Sequence, residues 1–215
     1  MAGLNAVEVS RFETAGVRGF LHRPDVATGR GLVLTHGAGA DCTARLLVAA
    51  AEAFAAAGIC ALRCDLPFRQ RRPKGPPSPS GAAADRAGLK AAVAAMRSLV
   101  PGPVMLGGSS YGGRQATILA ADEPDTAAAL VLFCYPLHPP GKPERLRSEH
   151  FPRLKTRCVF VHGTADPFGS IAELRGAVGT IAAPADVIVI ERAGHELRRG
   201  AFDLAPVVAA AVRGI

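Results

Sequence analysis

The chain contains no tryptophan and only 2 tyrosines among its 215 residues. It also lacks the spacings that commonly hold a metal, since neither a C-x-x-C pair nor an H-E-x-x-H run occurs. We therefore expect neither a metal nor another cofactor. No uninterrupted apolar run approaches the roughly 20 residues needed to cross a bilayer, so we expect no membrane association.

The N-terminus and the cysteines both indicate a reducing compartment. Residues 1–13 carry acidic side chains and no apolar core, unlike a secretory signal. The number of cysteines is odd, and most of them lie in or beside segments that we predict as strands. We therefore expect buried, reduced thiols in a cytoplasmic protein. The cysteines are Cys42, Cys60, Cys64, Cys134 and Cys158.

The net charge of +7 raises the question of a nucleic-acid partner. However, no DNA- or RNA-binding motif occurs, and no aromatic residues are interleaved with the basic ones. We expect no nucleic-acid partner and assign most of the charge to a solvated surface.

The order of apolar segments predicts the fold. The length suits one domain with a sizeable core, which we expect to span residues 1–215. Short strand-like apolar runs alternate with helical patterns, which predicts an α/β fold with a doubly wound, mostly parallel sheet. The predicted strands are 31–35, 59–64, 103–106, 127–134, 157–161 and 187–190, after an antiparallel pair within 7–23.

The predicted helices are 43–57, 82–100, 115–121, 171–178 and 202–212. Two stretches between these elements, 65–81 and 135–153, are irregular in pattern, and the first is rich in proline and arginine. We expect no regular structure in either stretch.

One segment carries a specific chemical signal. Residues 108–112 read G-S-S-Y-G and fit the G-x-S-x-G pattern of a nucleophile elbow. In that element a serine lies on a sharp turn between a strand and a helix, and its neighbours must be small. The apolar run before it and the helix-forming run after it match this context. The pattern nominates Ser110 as a nucleophile and the amide of Tyr111 as an oxyanion donor.

An acid and a histidine follow later predicted strands. Asp166 comes after the run 157–161, and His195 comes after the run 187–190. Taken singly, either residue fits an ordinary turn or loop. The order Ser110, Asp166, His195 is that of α/β-hydrolases and differs from the orders in chymotrypsin and subtilisin. We expect all three at the carboxyl edge of the parallel sheet, where such sheets place their chemistry.

These residue types suit acyl transfer. A serine hydroxyl needs an adjacent base, here His195, to remove its proton during attack on a carbonyl carbon. Asp166 would hold the tautomer of the imidazole and stabilise its cation. A second oxyanion donor is expected from the loop 36–40, which follows the first parallel strand. We predict the amide of Ala38, with Gly39 as the alternative.

The remaining histidines receive structural assignments. We expect His22 and His150 at the surface, and His36 and His162 as supports of their loops. His138 lies in the second irregular stretch and is a candidate for lining the site.

Basic residues gather in both irregular stretches, which leave the carboxyl ends of predicted strands. A basic rim around the site would attract an anionic ester or thioester. The other interpretation, flexible solvated charge, stays open. The first cluster is Arg69, Arg71, Arg72 and Lys74, and the second is Lys142, Arg145 and Arg147.

Several of these segments carry a resemblance. The run T-H-G-A-G at 35–39, the elbow, D-P-F-G at 166–169 and G-H at 194–195 resemble the α/β-hydrolase superfamily in its dienelactone-hydrolase-like branch. More narrowly, the elbow region 107–114, Y-P-L-H-P-P-G-K at 135–142 and E-H-F-P at 149–152 are similar to one smaller family. That family includes a testis-expressed hydrolase-like protein, the hydrolase-like subunit of the NSL acetyltransferase complex and many uncharacterised bacterial proteins.

The resemblance implies a capless fold with Ser110, Asp166 and His195 as catalytic triad, and it implies no substrate. Dienelactone hydrolases use a cysteine nucleophile where this chain has Ser110, so lactone specificity does not transfer. Many members of the smaller family have methionine where this chain has Tyr111. We expect the side chain of Tyr111 to narrow the pocket.

The sequence thus predicts a serine hydrolase that cleaves carboxylic esters or thioesters through an acyl-enzyme. Two alternatives stay open. One is a non-catalytic hydrolase-like interaction module, and the other is an acyltransferase or perhydrolase that uses the same residues.

Overall fold

The computed structural model describes residues 6–197 and 202–215. Residues 1–5, which begin the N-terminal segment 1–13 discussed above, lie outside the described residues. The strands are β1 (Val7–Thr14), β2 (Val17–Pro24), β3 (Gly31–Thr35), β4 (Cys60–Cys64), β5 (Val104–Ser109), β6 (Ala129–Phe133), β7 (Arg157–Gly163) and β8 (Ala185–Ile190). The helices are α1 (Arg45–Ala56), α2 (Pro67–Arg71), α3 (Ala82–Arg97), α4 (Tyr111–Asp122), α5 (Ile171–Val178) and α6 (Ala205–Ala211).

All eight strands form one sheet in the order β1-β2-β4-β3-β5-β6-β7-β8. β1 pairs antiparallel with β2, and β2 pairs antiparallel with β4, as the pattern at 7–23 predicts for the sheet edge. Every later pairing is parallel. The predicted doubly wound α/β fold is therefore confirmed. The strand order reverses at β3 and β5, and open parallel sheets bind ligands at the carboxyl ends beside such a reversal.

The core has two layers because both faces of the sheet are covered. Along β3, Leu32 and Leu34 pack with α1 and α6, whereas Val33 packs with α3 and α4 on the other face. This alternation is the period-two pattern of a strand that is buried on both sides. No insertion of cap-domain size occurs in the described ranges, and none of their helices is long and apolar enough to cross a membrane.

The prediction of no regular structure at 65–81 is wrong. That stretch contains α2 and a 3-10 turn at Pro79–Gly81, and a second 3-10 turn at Phe151–Arg153 ends the other irregular stretch. α2 starts with proline, whose missing amide costs nothing at the first helical position. The amide of Phe68 donates to Asp85 Oδ1 at 3.0 Å, so α3 supplies a hydrogen-bond acceptor that α2 lacks locally.

The prediction of buried thiols is confirmed for all five cysteines. The surface positions predicted for His22 and His150 are wrong. His22 is fully buried in β2, where its Nε2 accepts from Arg63 Nε at 2.7 Å. His150 is buried, and its Nε2 lies 2.8 Å from the hydroxyl of Thr117. Both rings have a partner distant in the sequence, which is why local polarity suggested a surface position.

Candidate active site

The serine lies on a strained turn between β5 and α4. Ser110 has φ 50° and ψ −115°, a backbone conformation that residues other than glycine rarely adopt. Its amide donates to the carbonyl of Phe133 at 2.9 Å, and its carbonyl accepts from the amide of Arg114 at 3.0 Å. Strain of this kind costs about 1–3 kcal/mol and persists where surrounding bonds fix it.

The glycines of the elbow allow two backbones to approach closely. A Cβ at Gly108 would lie 2.4 Å from the carbonyl oxygen of Thr35, and a Cβ at Gly112 would lie 2.6 Å from that of His36. Any larger residue would push β5 and α4 away from the end of β3. The small residues of the motif therefore bring Ser110 against the loop that follows β3.

The structure brings the three predicted side chains into one hydrogen-bonded chain. Ser110 Oγ lies 2.8 Å from His195 Nε2. His195 Nδ1 lies 2.9 Å and 2.8 Å from the two carboxylate oxygens of Asp166. Because a carboxylate accepts only, Nδ1 carries the ring proton and Nε2 is free to accept the proton of the serine. The Asp166 side chain is 0% exposed and that of His195 is 20% exposed, so solvent reaches the histidine and not the acid.

Sequence reasoning missed Phe168, which holds both the acid and the base. Its amide donates to Asp166 Oδ1 at 2.9 Å, and its ring lies over the imidazole of His195 with centroids 4.1 Å apart. His162 Nε2 donates to the carbonyl of Gly169 at 2.8 Å, in agreement with its predicted role as a loop support. The position of Phe168, two residues after an aspartate in a turn, is the signal that could have found it.

The Y-P-L-H run supports this acid loop from the other side. The amide of His138 donates to the carbonyl of Phe168 at 3.0 Å, and Leu137 packs against Gly169. The His138 ring is buried, with Nδ1 2.9 Å from the carbonyl of Pro139. His138 is not among the described residues that line the cleft above Ser110. Its contribution to the site is therefore the support of the acid loop.

The loop 36–40 faces the serine. A Cβ at Gly37 would lie 3.4 Å from that of Ser110, which places the loop in contact with the elbow. The amide of Ala40 donates to the carbonyl of Gly37 at 3.2 Å and is therefore used within the loop. Among the described residues, the amides of Ala38 and Gly39 have no hydrogen-bond acceptor. Both predicted positions thus offer a free donor.

Tyr111 is the first residue of α4, where a backbone amide has no acceptor within the helix. The expectation that its side chain narrows the pocket is wrong. Its hydroxyl donates to Asp85 Oδ2 at 2.8 Å, and its ring packs edge-on against Phe68. Burial, with the bond to Asp85, raises the pKa of the Tyr111 hydroxyl. The side chain therefore turns towards α3.

A cleft of about 940 Å³ opens above Ser110, His195 and the loop 36–40. Its walls come from the start of α1 and from the chain around α6. The apolar wall residues include Ala44, Leu46, Leu47, Ala49, Leu197, Phe202 and Leu204, and the charged ones among the described residues are Asp41, Arg45 and Glu196.

Neither basic cluster lines this cleft within the described ranges. Arg69 is buried and donates to backbone carbonyls, so its assignment to a basic rim is wrong. Arg71 and Arg72, in the same segment, are exposed. The sequence did not reveal that Arg69 turns inwards while its neighbours stay exposed.

A sheet of this order, with a serine on the turn after β5, defines the class of α/β-hydrolases. Residues 28–202 match the model of the Alpha/beta hydrolase domain family. The chain belongs to that family, and this membership supports its assignment as a hydrolase.

Solved structures with the same fold include a dienelactone hydrolase from Anabaena variabilis, with a TM-score of 0.68 and 21% identity over 96% of this chain and 94% of that one. Est1E from Butyrivibrio proteoclasticus with bound ferulic acid has a TM-score of 0.72 and 15% identity over 94% and 95% of the two chains. An α/β serine hydrolase without lid from Xanthomonas campestris has a TM-score of 0.67 and 16% identity over 95% and 91%. At these identities the similarity concerns the fold.

Proposed function

We propose that this protein is a serine hydrolase that cleaves carboxylic esters or thioesters through an acyl-enzyme. The observation that carries the proposal is the continuous hydrogen-bonded chain from Ser110 Oγ through His195 to Asp166, with 2.8 Å between Ser110 Oγ and His195 Nε2. Membership of a hydrolase family and a free amide on each side of the serine support it.

In the first half of the reaction, Ser110 Oγ attacks the carbonyl carbon while His195 Nε2 takes the hydroxyl proton. The carbonyl electrons move to the oxygen, and the amides of Tyr111 and of Ala38 or Gly39 donate to this oxyanion. Asp166 stabilises the imidazolium, to which its buried carboxylate is already bonded. The intermediate collapses, the carbon–oxygen or carbon–sulfur bond breaks, and the alcohol or thiol leaves with the proton from His195.

In the second half, water replaces the leaving group. His195 Nε2 takes a proton from the water as its oxygen attacks the acyl carbon of the ester on Ser110. The second tetrahedral intermediate expels Ser110, which recovers its proton from His195, and the free acid departs. The 20% exposure of the His195 side chain supports this step, since water can reach the ring.

The cleft supports a small-molecule substrate with an apolar part. Its walls are largely alanine, leucine and phenylalanine, and the charged residues among its described ones are two acids and one base. Burial of apolar groups against such walls supplies binding energy at about 25 cal/mol per Å². We infer that neutral esters with an apolar acyl or alcohol group fit this cleft better than the anionic ones that a basic rim would favour.

We also propose that the protein groups with the smaller family of the testis-expressed hydrolase-like protein and the NSL-complex hydrolase-like subunit, as one cytoplasmic domain over residues 1–215. The Y-P-L-H run, whose His138 amide donates to the carbonyl of Phe168 in the acid loop, supports this assignment.

A fluorophosphonate probe tests the proposed nucleophile. Labelling and esterase activity are expected for the wild type and for Ser109→Ala, and both should vanish in Ser110→Ala. Ser109 is the matched control because it is the adjacent serine and also borders the cleft. An unlabelled wild type would refute the proposal, and labelling that persists in Ser110→Ala would move the nucleophile elsewhere.

A panel of matched esters and thioesters then identifies the reaction. We expect turnover of p-nitrophenyl esters or acyl thioesters in water. If added alcohol, amine or peroxide took the acyl group faster than water did, the acyltransferase or perhydrolase alternative would replace hydrolysis.

A further inference from the structure

Arg69 carries a buried guanidinium without an ion-pair partner in the described residues. Its Nε donates to the carbonyl of Ala40 at 2.8 Å, and its Nη2 donates to the carbonyl of Ala38 at 2.9 Å. Two further donors reach the carbonyls of Arg72 and Gly75, each at 3.2 Å. Burying a charge is costly unless it is fully hydrogen-bonded, and here backbone carbonyls alone supply the bonds. Two of these carbonyls belong to the loop that faces Ser110.

His36 holds the same loop from its other end. The amide of Leu66 donates to His36 Nε2 at 3.1 Å, so that nitrogen is an acceptor and Nδ1 carries the proton. Nδ1 donates to the carbonyl of Gly37 at 2.8 Å. Burial lowers the pKa of His36, which keeps this neutral form.

These bonds set the direction of two amides. In a trans peptide, the N–H points opposite to the carbonyl of the same unit. The carbonyl of Gly37 is held by His36, which fixes the N–H of Ala38. The carbonyl of Ala38 is held by Arg69, which fixes the N–H of Gly39. Neither of these amides has an acceptor among the described residues, so the two side chains fix the orientation of two free donors of the loop.

We propose that Arg69 is a positioning residue that locks the peptide planes of the loop 36–40 in the orientation that binds the oxyanion. It acts on the backbone of Ala38 and Gly39 and does not touch the substrate. The inference rests on the proposed function for its catalytic consequence, whereas the lock itself is a property of the loop.

The kinetic test compares Arg69→Met with Arg71→Met, an exposed arginine of the same helix. Removal of one oxyanion donor costs about 100- to 1000-fold in rate, and a loosened donor should cost less. For Arg69→Met we expect kcat to fall about 10- to 100-fold with KM within about twofold, and the affinity for a boronic-acid transition-state analogue to fall by a similar factor. Arg71→Met should match the wild type in all three. Equal loss of kcat and boronate affinity is what a merely structural role would not produce.

Hydrogen–deuterium exchange tests the lock without reference to activity. Peptides that cover residues 36–41 should exchange faster in Arg69→Met than in Arg71→Met, while peptides from β5 and β7 keep their wild-type rates. If the wild type proved inactive while Arg69→Met still exchanged faster than Arg71→Met, the lock would stand and the proposed function would be refuted. Unchanged exchange and unchanged kcat in an active protein would overturn the lock.

Arg69→Lys serves if Arg69→Met does not fold. A lysine keeps the charge but has a single donor head, so it cannot bond both loop carbonyls in the manner of a planar guanidinium. We expect intermediate kcat and intermediate exchange. Wild-type kcat, boronate affinity and exchange in Arg69→Lys would overturn the proposal, since a charge alone would then suffice.

Discussion

The side chain that directly follows the proposed nucleophile is bonded to a buried carboxylate on another helix. Tyr111 donates its hydroxyl to Asp85 Oδ2 at 2.8 Å, while Asp85 Oδ1 accepts from the amide of Phe68. One aspartate of α3 therefore fixes both the start of α4 and the start of α2, which carries Arg69. The two helices that border the elbow and its facing loop share a single anchor.

Tyr111→Phe should lower stability and leave substrate affinity almost unchanged. Loss of the hydroxyl leaves Asp85 with an unmet bond in a buried place, which costs about 1–3 kcal/mol in the free energy of unfolding. The ring lies outside the cleft, so KM should stay within about twofold. Urea denaturation and steady-state kinetics measure the two effects. A large rise in KM at wild-type stability would show that the ring does reach the substrate.

Gly108→Ala should unfold or severely destabilise the protein, because the new Cβ would lie 2.4 Å from the carbonyl oxygen of Thr35. Overpacking of this kind costs about 1–3 kcal/mol or more. Gly176 is the matched control, since it lies inside α5 and a Cβ there would meet nothing within 4 Å. Gly176→Ala should raise the free energy of unfolding by up to about 1 kcal/mol. Thermal or urea unfolding distinguishes the two, and equal stability of both variants would contradict the close approach at the elbow.

Acid should destabilise the fold through two buried histidines. Burial lowers the pKa of His22 and of His150 from 6.5 to about 4. A lowered histidine pKa means that the unfolded chain binds protons first, so stability is complete above pH 6.5 and is lost as the pH falls towards 4. Each histidine would contribute roughly 3 kcal/mol over that interval.

The variant His150→Gln isolates the contribution of one histidine to the loss of stability in acid. His150 Nε2 lies 2.8 Å from the hydroxyl of Thr117, which itself donates to the carbonyl of Arg114, so the ring donates and a glutamine amide can replace it. Urea unfolding between pH 7 and pH 4 should show a shallower loss for this variant than for the wild type. Identical slopes would assign the acid sensitivity to other groups.

Charge reversal at the end of α2 should leave substrate preference unaltered. The double variant Arg71→Glu with Arg72→Glu changes exposed residues that do not line the cleft. We expect the ratio of kcat/KM for an anionic ester to that for its neutral counterpart to change less than twofold at about 0.15 M salt, where the screening length is about 8 Å. Arg45→Glu is the contrast, because Arg45 lines the cleft, and it should lower the ratio several-fold. A large effect of the double variant alone would restore the basic rim.

The sequence predicts the sheet well because its signals are local. The run at β3 is largely apolar and matches a strand that is buried on both faces, as its sequence predicts. The three side chains of the candidate site could likewise be assembled from their order and from the strands before them. Their separation of up to 85 residues in the chain was no obstacle, because a parallel sheet brings strand ends to one edge.

The errors concern contacts that no local pattern encodes. α2 lacks a cap of its own and depends on Asp85 of α3. Arg69 is an ordinary arginine in a basic run, and its acceptor on Ala38 lies 31 residues away in the chain. His22 is buried against Arg63, a pairing that requires the register of β2 on β4. In each case a polar residue found its partner through tertiary packing, so composition assigned it to solvent.

The cleft has a consequence for how the protein could diversify. Its walls come from the start of α1 and from the chain around α6, whereas Ser110, Asp166 and His195 follow β5, β7 and β8. The wall residues at the start of α1 and around α6 therefore lie in other segments than the proposed triad, although Glu196 and Leu197 directly follow His195. Leu46 and Leu204 can be randomised together without altering a residue of the hydrogen-bonded chain, so the proposed substrate preference can be varied while the proposed triad stays intact.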